Sequence, residues 1–135
     1  MYWYEKSAGQ GFLDAICNKA YLLYIYSKNQ EDYKVAFETF KRAADAGHMR
    51  AQNYVGDCYY NGHGVAKNFK TALDWYKKSA IQGFHWGQYN LARCCEEVGV
   101  LKEAYDLFLL AAKQGNERAK EKIEEYRRKG WSPSE

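Results

Sequence analysis

The stretch "DWYKKSAIQG", residues 74–83, returns almost unchanged as "YWYEKSAGQG" at residues 2–11. Seven of the ten positions are identical, and the two copies lie 72 residues apart. A third copy, "TFKRAADAG" at residues 39–47, lies halfway between them. The resulting offset of 36 residues recurs in the even spacing of Gly11, Gly47 and Gly83. A fixed period in this range predicts an array of stacked structural repeats.

The best-preserved unit, residues 47–83, has the pattern of two helices joined by a turn. Ala51, Val55 and Tyr59 follow an i, i+4, i+8 spacing, which places them on one face of the first helix. The turn signal "NGHGV" follows at residues 61–65. The glycine that closes the unit supplies the left-handed residue that ends the second helix. Each unit is therefore predicted to be a helical hairpin.

Other columns of the repeat hold residues that suit a core. Small side chains allow close contact between helices, and aromatic side chains at helical spacing are typical of packing between units. The small residues are Ala36, Ala72 and Ala104 with Ala44, Ala80 and Ala112, and the aromatic residues are Phe40, Tyr59, Trp75, Tyr76 and Phe108.

The composition excludes several classes of protein. Hydrophobic residues make up 47% of the 135 residues and charged residues 27%, which is typical of a folded domain. The net charge of +3 is small and the signs are mixed, so nucleic acid is not an expected partner. No apolar run predicts a membrane span, and the first residues do not have the pattern of a signal peptide. The four cysteines show no zinc-ligand spacing, which favours reduced thiols and a cytoplasmic location.

The stretch "AQNYVGDCYYNGHGVAKNFKTALDWYKKSAIQG", residues 51–83, resembles the Sel1-like repeat, a relative of the tetratricopeptide repeat. The resemblance implies an all-α fold, a right-handed α-solenoid of stacked antiparallel helical hairpins. It extends from residue 2 to about residue 129 and places repeats at residues 11–46, 47–82 and 83–114 of one domain, residues 1–130. The matching features are Ala51, Val55-Gly56, Tyr59, Gly62-x-Gly64-Val65, Lys70-x-Ala72, Trp75-Tyr76, Lys78-x-Ala80 and Gly83.

The C-terminal end is predicted to be a cap. In residues 115–129, Ala119 and Ile123 continue the core columns, while Lys, Arg and Glu fill most other positions. A terminal repeat with one polar face is expected to close an array of this kind. The tail, residues 131–135, follows it, and Trp131 is expected to fold back onto the cap.

The N-terminal end is predicted to be a half repeat, residues 2–10, which ends at Gly11. Such a segment exposes Trp3 and Tyr4 on one side, and an exposed apolar end favours self-association. The alternative is that the chain is a fragment of a longer array.

By resemblance to the tetratricopeptide class, the first helix of each unit lines a concave surface. The positions between the core columns are then predicted to face a partner protein or peptide. These positions are rich in Tyr, Trp and Arg, which are enriched at binding hot spots. The charged members could instead satisfy one another across neighbouring helices. The predicted binding residues are Tyr21, Tyr24, Arg50, Asn53, Asp57, Tyr60, Trp86, Tyr89, Arg93 and Glu96.

The sequence does not favour an enzyme. It contains no recognisable Ser-His-Asp arrangement or phosphate-binding loop, and it predicts no cofactor or metal. His63 is expected to be exposed in its turn. The leading hypothesis is a non-enzymatic interaction module, an adaptor or scaffold, as the resemblance implies. The alternatives are a bacterial immunity protein that neutralises a toxin by binding it, and a regulatory segment of a longer protein.

Overall fold

A computed structural model describes residues 2–131 of the chain, with side chains from residue 9 onward. Seven α-helices and no strands make up this part of the chain. The predicted all-α helical-repeat fold is confirmed. The helices are α1 (Tyr2–Ile25), α2 (Gln30–Asp45), α3 (Met49–Asn61), α4 (Phe69–Ile81), α5 (His85–Glu97), α6 (Leu101–Lys113) and α7 (Glu117–Arg128).

The repeated glycines end helices as the spacing predicts. Gly47, Gly83 and Gly115 have φ angles of 96°, 94° and 97°, all in the left-handed region. At the first of them, the Gly47 N–H donates to the Ala44 carbonyl and the His48 N–H to the Ala43 carbonyl, which is the Schellman arrangement. Equivalent pairs of hydrogen bonds follow α4 and α6.

Gly11 behaves differently, and the predicted helix end at this residue is wrong. Helix α1 runs without a break from Tyr2 to Ile25. Glycine costs a helix interior only about 1 kcal/mol relative to alanine, so Gly11 can remain helical.

The chain forms two compact units, Met1–Trp75 and Tyr76–Glu135, with the boundary inside α4. In the first unit, α2 packs against both α1 and α3. Phe40 of α2 is fully buried and its ring lies 4.8 Å from that of Tyr54 and 5.8 Å from that of Tyr24, measured between centroids. Ala51 and Val55 are also fully buried in this core, as the repeat pattern predicts.

In the second unit, α6 packs against α5 and α7. Phe108 is its fully buried centre, with the ring of Tyr89 at 5.5 Å and that of Tyr126 at 6.1 Å. Trp131 folds back as expected, and its ring lies 4.7 Å from Tyr105 and 5.3 Å from Tyr126.

Candidate protein-binding surface

Two of the predicted binding residues are buried, and their assignment to a surface is wrong. Asn53 is 3% exposed and Tyr89 is 8% exposed. Both occupy the repeat column of Cys17, which is 0% exposed. The column lies inside because the first helices are packed on more than one side. In α3, buried side chains occupy consecutive positions from Ala51 to Asn53 instead of one narrow stripe.

The remaining predicted residues of the first unit keep accessible surface. Tyr21 is 39% exposed. Its ring centroid lies 5.3 Å from that of Tyr54 on α3, the first helix of the next repeat. Arg50 is held in place by Asn18, whose Oδ1 accepts hydrogen bonds from Nη1 and Nη2 of the guanidinium, each at 3.2 Å. The other half-buried members are Tyr24, Asp57 and Tyr60.

A buried histidine supports this surface from below. His48 is 3% exposed and caps α3, with its Nδ1 accepting from the Ala51 N–H at 3.2 Å. The proton therefore resides on Nε2, which donates to the Asp14 carboxylate at 2.6 Å. The Arg50 guanidinium lies 3.8 Å from the same carboxylate. Asp14 is thus fixed between a histidine and an arginine of the next first helix.

Tyr24 has an internal role that the sequence did not reveal. Its hydroxyl lies 2.6 Å from His63 Nδ1, and its ring packs 5.5 Å from Tyr33. Burial raises the pKa of Tyr24 well above its usual range. This side chain joins the end of α1 to the turn after α3.

The turn that carries His63 is docked onto α2, which corrects the expectation that the histidine is exposed. The imidazole is half-buried and stacks on Tyr33 at 4.1 Å, with an angle of 6° between the rings. The Gln30 side chain holds the turn through two hydrogen bonds. Its Oε1 accepts from the Gly64 N–H at 2.9 Å and its Nε2 donates to the Gly62 carbonyl at 3.2 Å. The partners are at least 30 residues apart in the sequence, so no local pattern identifies them.

The second unit places Trp86, Arg93 and Glu96 on α5 with partial exposure. Trp86 packs edge-on against Tyr89 with centroids 5.5 Å apart, and the Arg93 guanidinium lies 6.0 Å from the same ring. The buried Tyr89 ring therefore packs against two accessible side chains, those of Trp86 and Arg93.

Glu96 is held by two side chains of α7. Lys122 Nζ donates to Oε1 of Glu96 at 3.0 Å, and the Tyr126 hydroxyl donates to its Oε2 at 2.8 Å. Burial raises the pKa of Tyr126 well above its usual range, and the Glu96 hydrogen bond adds to the shift. The alternative that charged residues satisfy one another across neighbouring helices is therefore correct for Glu96.

A sequence model described as the Sel1 repeat matches residues 1–12, 18–48, 50–84 and 87–116 of this chain. The chain belongs to the Sel1 repeat family. A crystal structure of a Sel1 repeat protein from Oxalobacter formigenes is similar, with a TM-score of 0.73 and 27% identity, over 84% of this chain and 49% of that one. Its fold is the same all-α helical-repeat fold.

Curated Sel1-like proteins are also similar to this chain. A Sel1-like repeat-containing protein of Schizosaccharomyces pombe is 30% identical over 62% of this chain and 13% of its own length. Protein sel-1 homolog 2 of Homo sapiens is 30% identical over 76% of this chain and 16% of its own length. The chain thus spans less than a fifth of the length of either relative.

Two buried cysteines of these Sel1 repeats, Cys17 and Cys58, are not activated nucleophiles. Burial raises the pKa of Cys17 to about 11 and that of Cys58 to about 12, so both thiols stay protonated at neutral pH. Within residues 9–131, no group of three or more His, Cys, Asp or Glu side chains could hold a metal ion. The helices described in the structure include none long and apolar enough to cross a membrane.

The docked turn of this Sel1 repeat makes stability depend on pH. Burial lowers the pKa of His63, so the unfolded chain takes up this proton at a higher pH than the folded protein does. The free energy of unfolding should therefore fall as the pH drops below about 6.5, the usual histidine pKa. Urea denaturation at pH 7.5 and at pH 5.5 measures the loss, which should be smaller in His63→Gln. An equal loss in both proteins would show that His63 is not responsible.

Proposed function

We propose that this chain is a non-enzymatic interaction module that binds a partner protein or peptide through accessible side chains of its first helices. Sel1 repeats are in general protein–protein interaction modules. The observation that supports the proposal here is the combination of accessible Tyr21 and Trp86 with rigid support from beneath. Each ring rests on a second tyrosine, Tyr54 or Tyr89, at a centroid distance of 5.3 or 5.5 Å.

Rigid aromatic side chains suit binding because little conformational entropy remains to be lost when a partner covers them. Trp, Tyr and Arg also dominate the binding energy of many protein interfaces. In the first unit, Tyr21 and Arg50 are accessible side chains of these types that neighbouring residues hold in place. In the second unit, Trp86 and Arg93 are held in the same way. Arg50 is oriented by Asn18 and Asp14, and Arg93 by a 3.2 Å hydrogen bond to the Asn90 side chain.

The test is affinity capture of a partner from the native cell, followed by measurement of its dissociation constant with purified variants. We expect Tyr21→Ala and Trp86→Ala each to weaken binding at least about tenfold, as is common for hot-spot aromatics. Ile81→Ala is the matched control, because this side chain is 84% exposed and lies on a second helix. Circular dichroism would verify that each variant remains folded.

If both folded variants bind the partner as tightly as the parent protein, these first-helix side chains are not the binding surface. The same complex separates the two kinds of interaction module. A partner that stays active when bound indicates a scaffold, whereas a partner that is silenced indicates an immunity protein or another inhibitor.

Self-association is a second proposal, as is a cytoplasmic location. The side chains of Trp3 and Tyr4, which suggested self-association, lie outside the part of the chain whose side chains are described. Support comes instead from the exposed apolar side chains on the C-terminal half of α1, which include Leu22 at 55% and Ile25 at 49% exposure. The cytoplasmic proposal is supported by the free thiols of the described cysteines.

A further inference from the structure

One face of α1 is apolar and exposed, although the equivalent face of α3 is buried. Phe12 is 63% exposed and Leu22 55%, and Tyr26, in the turn directly after α1, is 73% exposed. We call this surface the receiving face. It consists of Phe12, Ala15, Lys19 and Leu22, spaced so that all four lie on one side of the helix.

The residues 36 positions later show what normally covers such a face. Ala51, Val55 and Cys58 in α3 correspond to Ala15, Lys19 and Leu22, and each is 0% exposed. Helix α2 packs against α3. Its Ala44 carbonyl accepts a hydrogen bond from the Gln52 side chain at 3.3 Å. The natural occupant of the receiving face is therefore a helix with the sequence character of α2.

The N-terminal segment of the chain also has that character. Residues 2–10, which we call the N-terminal arm, lie one period before α2 and correspond to residues 38–46. The Sel1 repeat model matches residues 1–12, so the arm has the pattern of the end of a repeat.

The arm cannot reach the receiving face of its own chain while α1 is straight. Gly11 occupies the column of Gly47, which turns the chain back with a φ of 96°. At Gly11, by contrast, α1 continues as a helix. The arm then points away from the face that it would cover in a hairpin.

We propose that two copies of this chain exchange their N-terminal arms, so that the arm of each copy packs antiparallel onto the receiving face of the other. This inference rests on the proposal that the chain self-associates, and it names the surfaces and the hinge. The contact reproduces the α2–α3 hairpin, with a continuous helix through Gly11 in place of the turn. Exchange of an identical element is a common route to a symmetric dimer. Helix α1 has 24 residues and is about 36 Å long. In an antiparallel pair of α1 helices, each arm can therefore lie on the receiving face of the other copy, and two such contacts form.

A covalent trap distinguishes exchange between copies from closure within one copy. Ala8 and Ala15 stand in the columns of Ala44 and Ala51, which are 2% and 0% exposed in the same core. We expect the double variant Ala8→Cys/Ala15→Cys to form a disulfide-linked dimer under mild oxidation. The single variant Ala15→Cys and the parent protein, oxidised in parallel, control for the native cysteines.

A noncovalent measurement completes the test. Leu22→Lys should weaken the dimer at least about tenfold in sedimentation equilibrium, because it places a charge within the buried contact. Leu110→Lys is the control, since Leu110 is 48% exposed on α6, outside the receiving face. Both leucines are exposed in the single chain, so neither substitution should prevent folding.

Each contrary result overturns a defined part of the inference. A monomer at every concentration overturns both self-association and exchange. A disulfide that forms only within a monomer shows that the arm closes at Gly11 and overturns exchange. A dimer that Leu22→Lys leaves unchanged overturns the receiving face alone. A monomer that loses a different bound protein through Leu22→Lys assigns the face to that partner and also overturns exchange.

Discussion

Phe40→Ala should lower the free energy of unfolding by about 4 kcal/mol, the usual cost of truncating a fully buried aromatic residue. Phe40 is 0% exposed and lies where α2 meets both of its neighbours in the first unit. Its ring contacts Tyr54 on α3 and Tyr24 on α1, at centroid distances of 4.8 and 5.8 Å. The truncation therefore leaves a cavity at the contact of three helices. Urea denaturation followed by circular dichroism measures the loss.

Glu38→Ala is the control for this prediction. Glu38 lies two residues earlier in α2 and its side chain is exposed. Exposed substitutions of this kind usually change stability by less than about 0.5 kcal/mol. If Phe40→Ala were as mild as the control, the first unit would have to repack around the missing ring, and the three-helix contact would not depend on it.

Gly64→Ala should lower the free energy of unfolding by about 3 kcal/mol, somewhat less than Phe40→Ala. The residue has a φ of 77°, which costs a non-glycine residue about 1–2 kcal/mol. A Cβ at this position would also clash with the Tyr33 carbonyl oxygen. Because that neighbour is backbone, the turn must move away from α2. The displacement would also disturb both hydrogen bonds to Gln30 and the stacking of His63 on Tyr33.

Gly47→Ala separates the two causes. Gly47 has a φ of 96°, but a Cβ added at this residue would have no neighbouring atom within 4 Å. It therefore tests the backbone strain alone, and we expect a loss of about 1–2 kcal/mol. Thermal denaturation of both variants gives the comparison. Equal losses would mean that the close approach of the turn to Tyr33 carries no energetic weight.

The repeat architecture could be predicted from the sequence because its signals are local and repeated. The 36-residue spacing of Gly47 and Gly83 marks helix ends, and both residues adopt the left-handed conformation expected there. The residue type of Asn68 predicts a helix cap, and its side chain accepts from the Thr71 N–H at 3.0 Å. Such signals depend on neighbouring residues in the chain, so they survive without knowledge of tertiary contacts.

The candidate surface was predictable only in part. The repeat columns identified which positions of the first helices lie outside the main core stripe, and Tyr21 is accessible as expected. They did not show that Asn53 and Tyr89 are buried, because the columns assume one buried side per helix. Glu96 illustrates a second cause of error. Its partners Lys122 and Tyr126 are supplied by a helix about 30 residues away.

The sequence by itself determined the family, the helical hairpins and the core columns, since each follows from periodic spacing and from residues with strong local preferences. Only the tertiary structure decided that α1 continues through Gly11, that His63 is stacked on Tyr33, and which first-helix side chains remain accessible. The physical reason is the same in each case. A glycine can turn or stay helical, and a polar side chain can face solvent or a partner. The choice depends on which distant helix is present to pack against it.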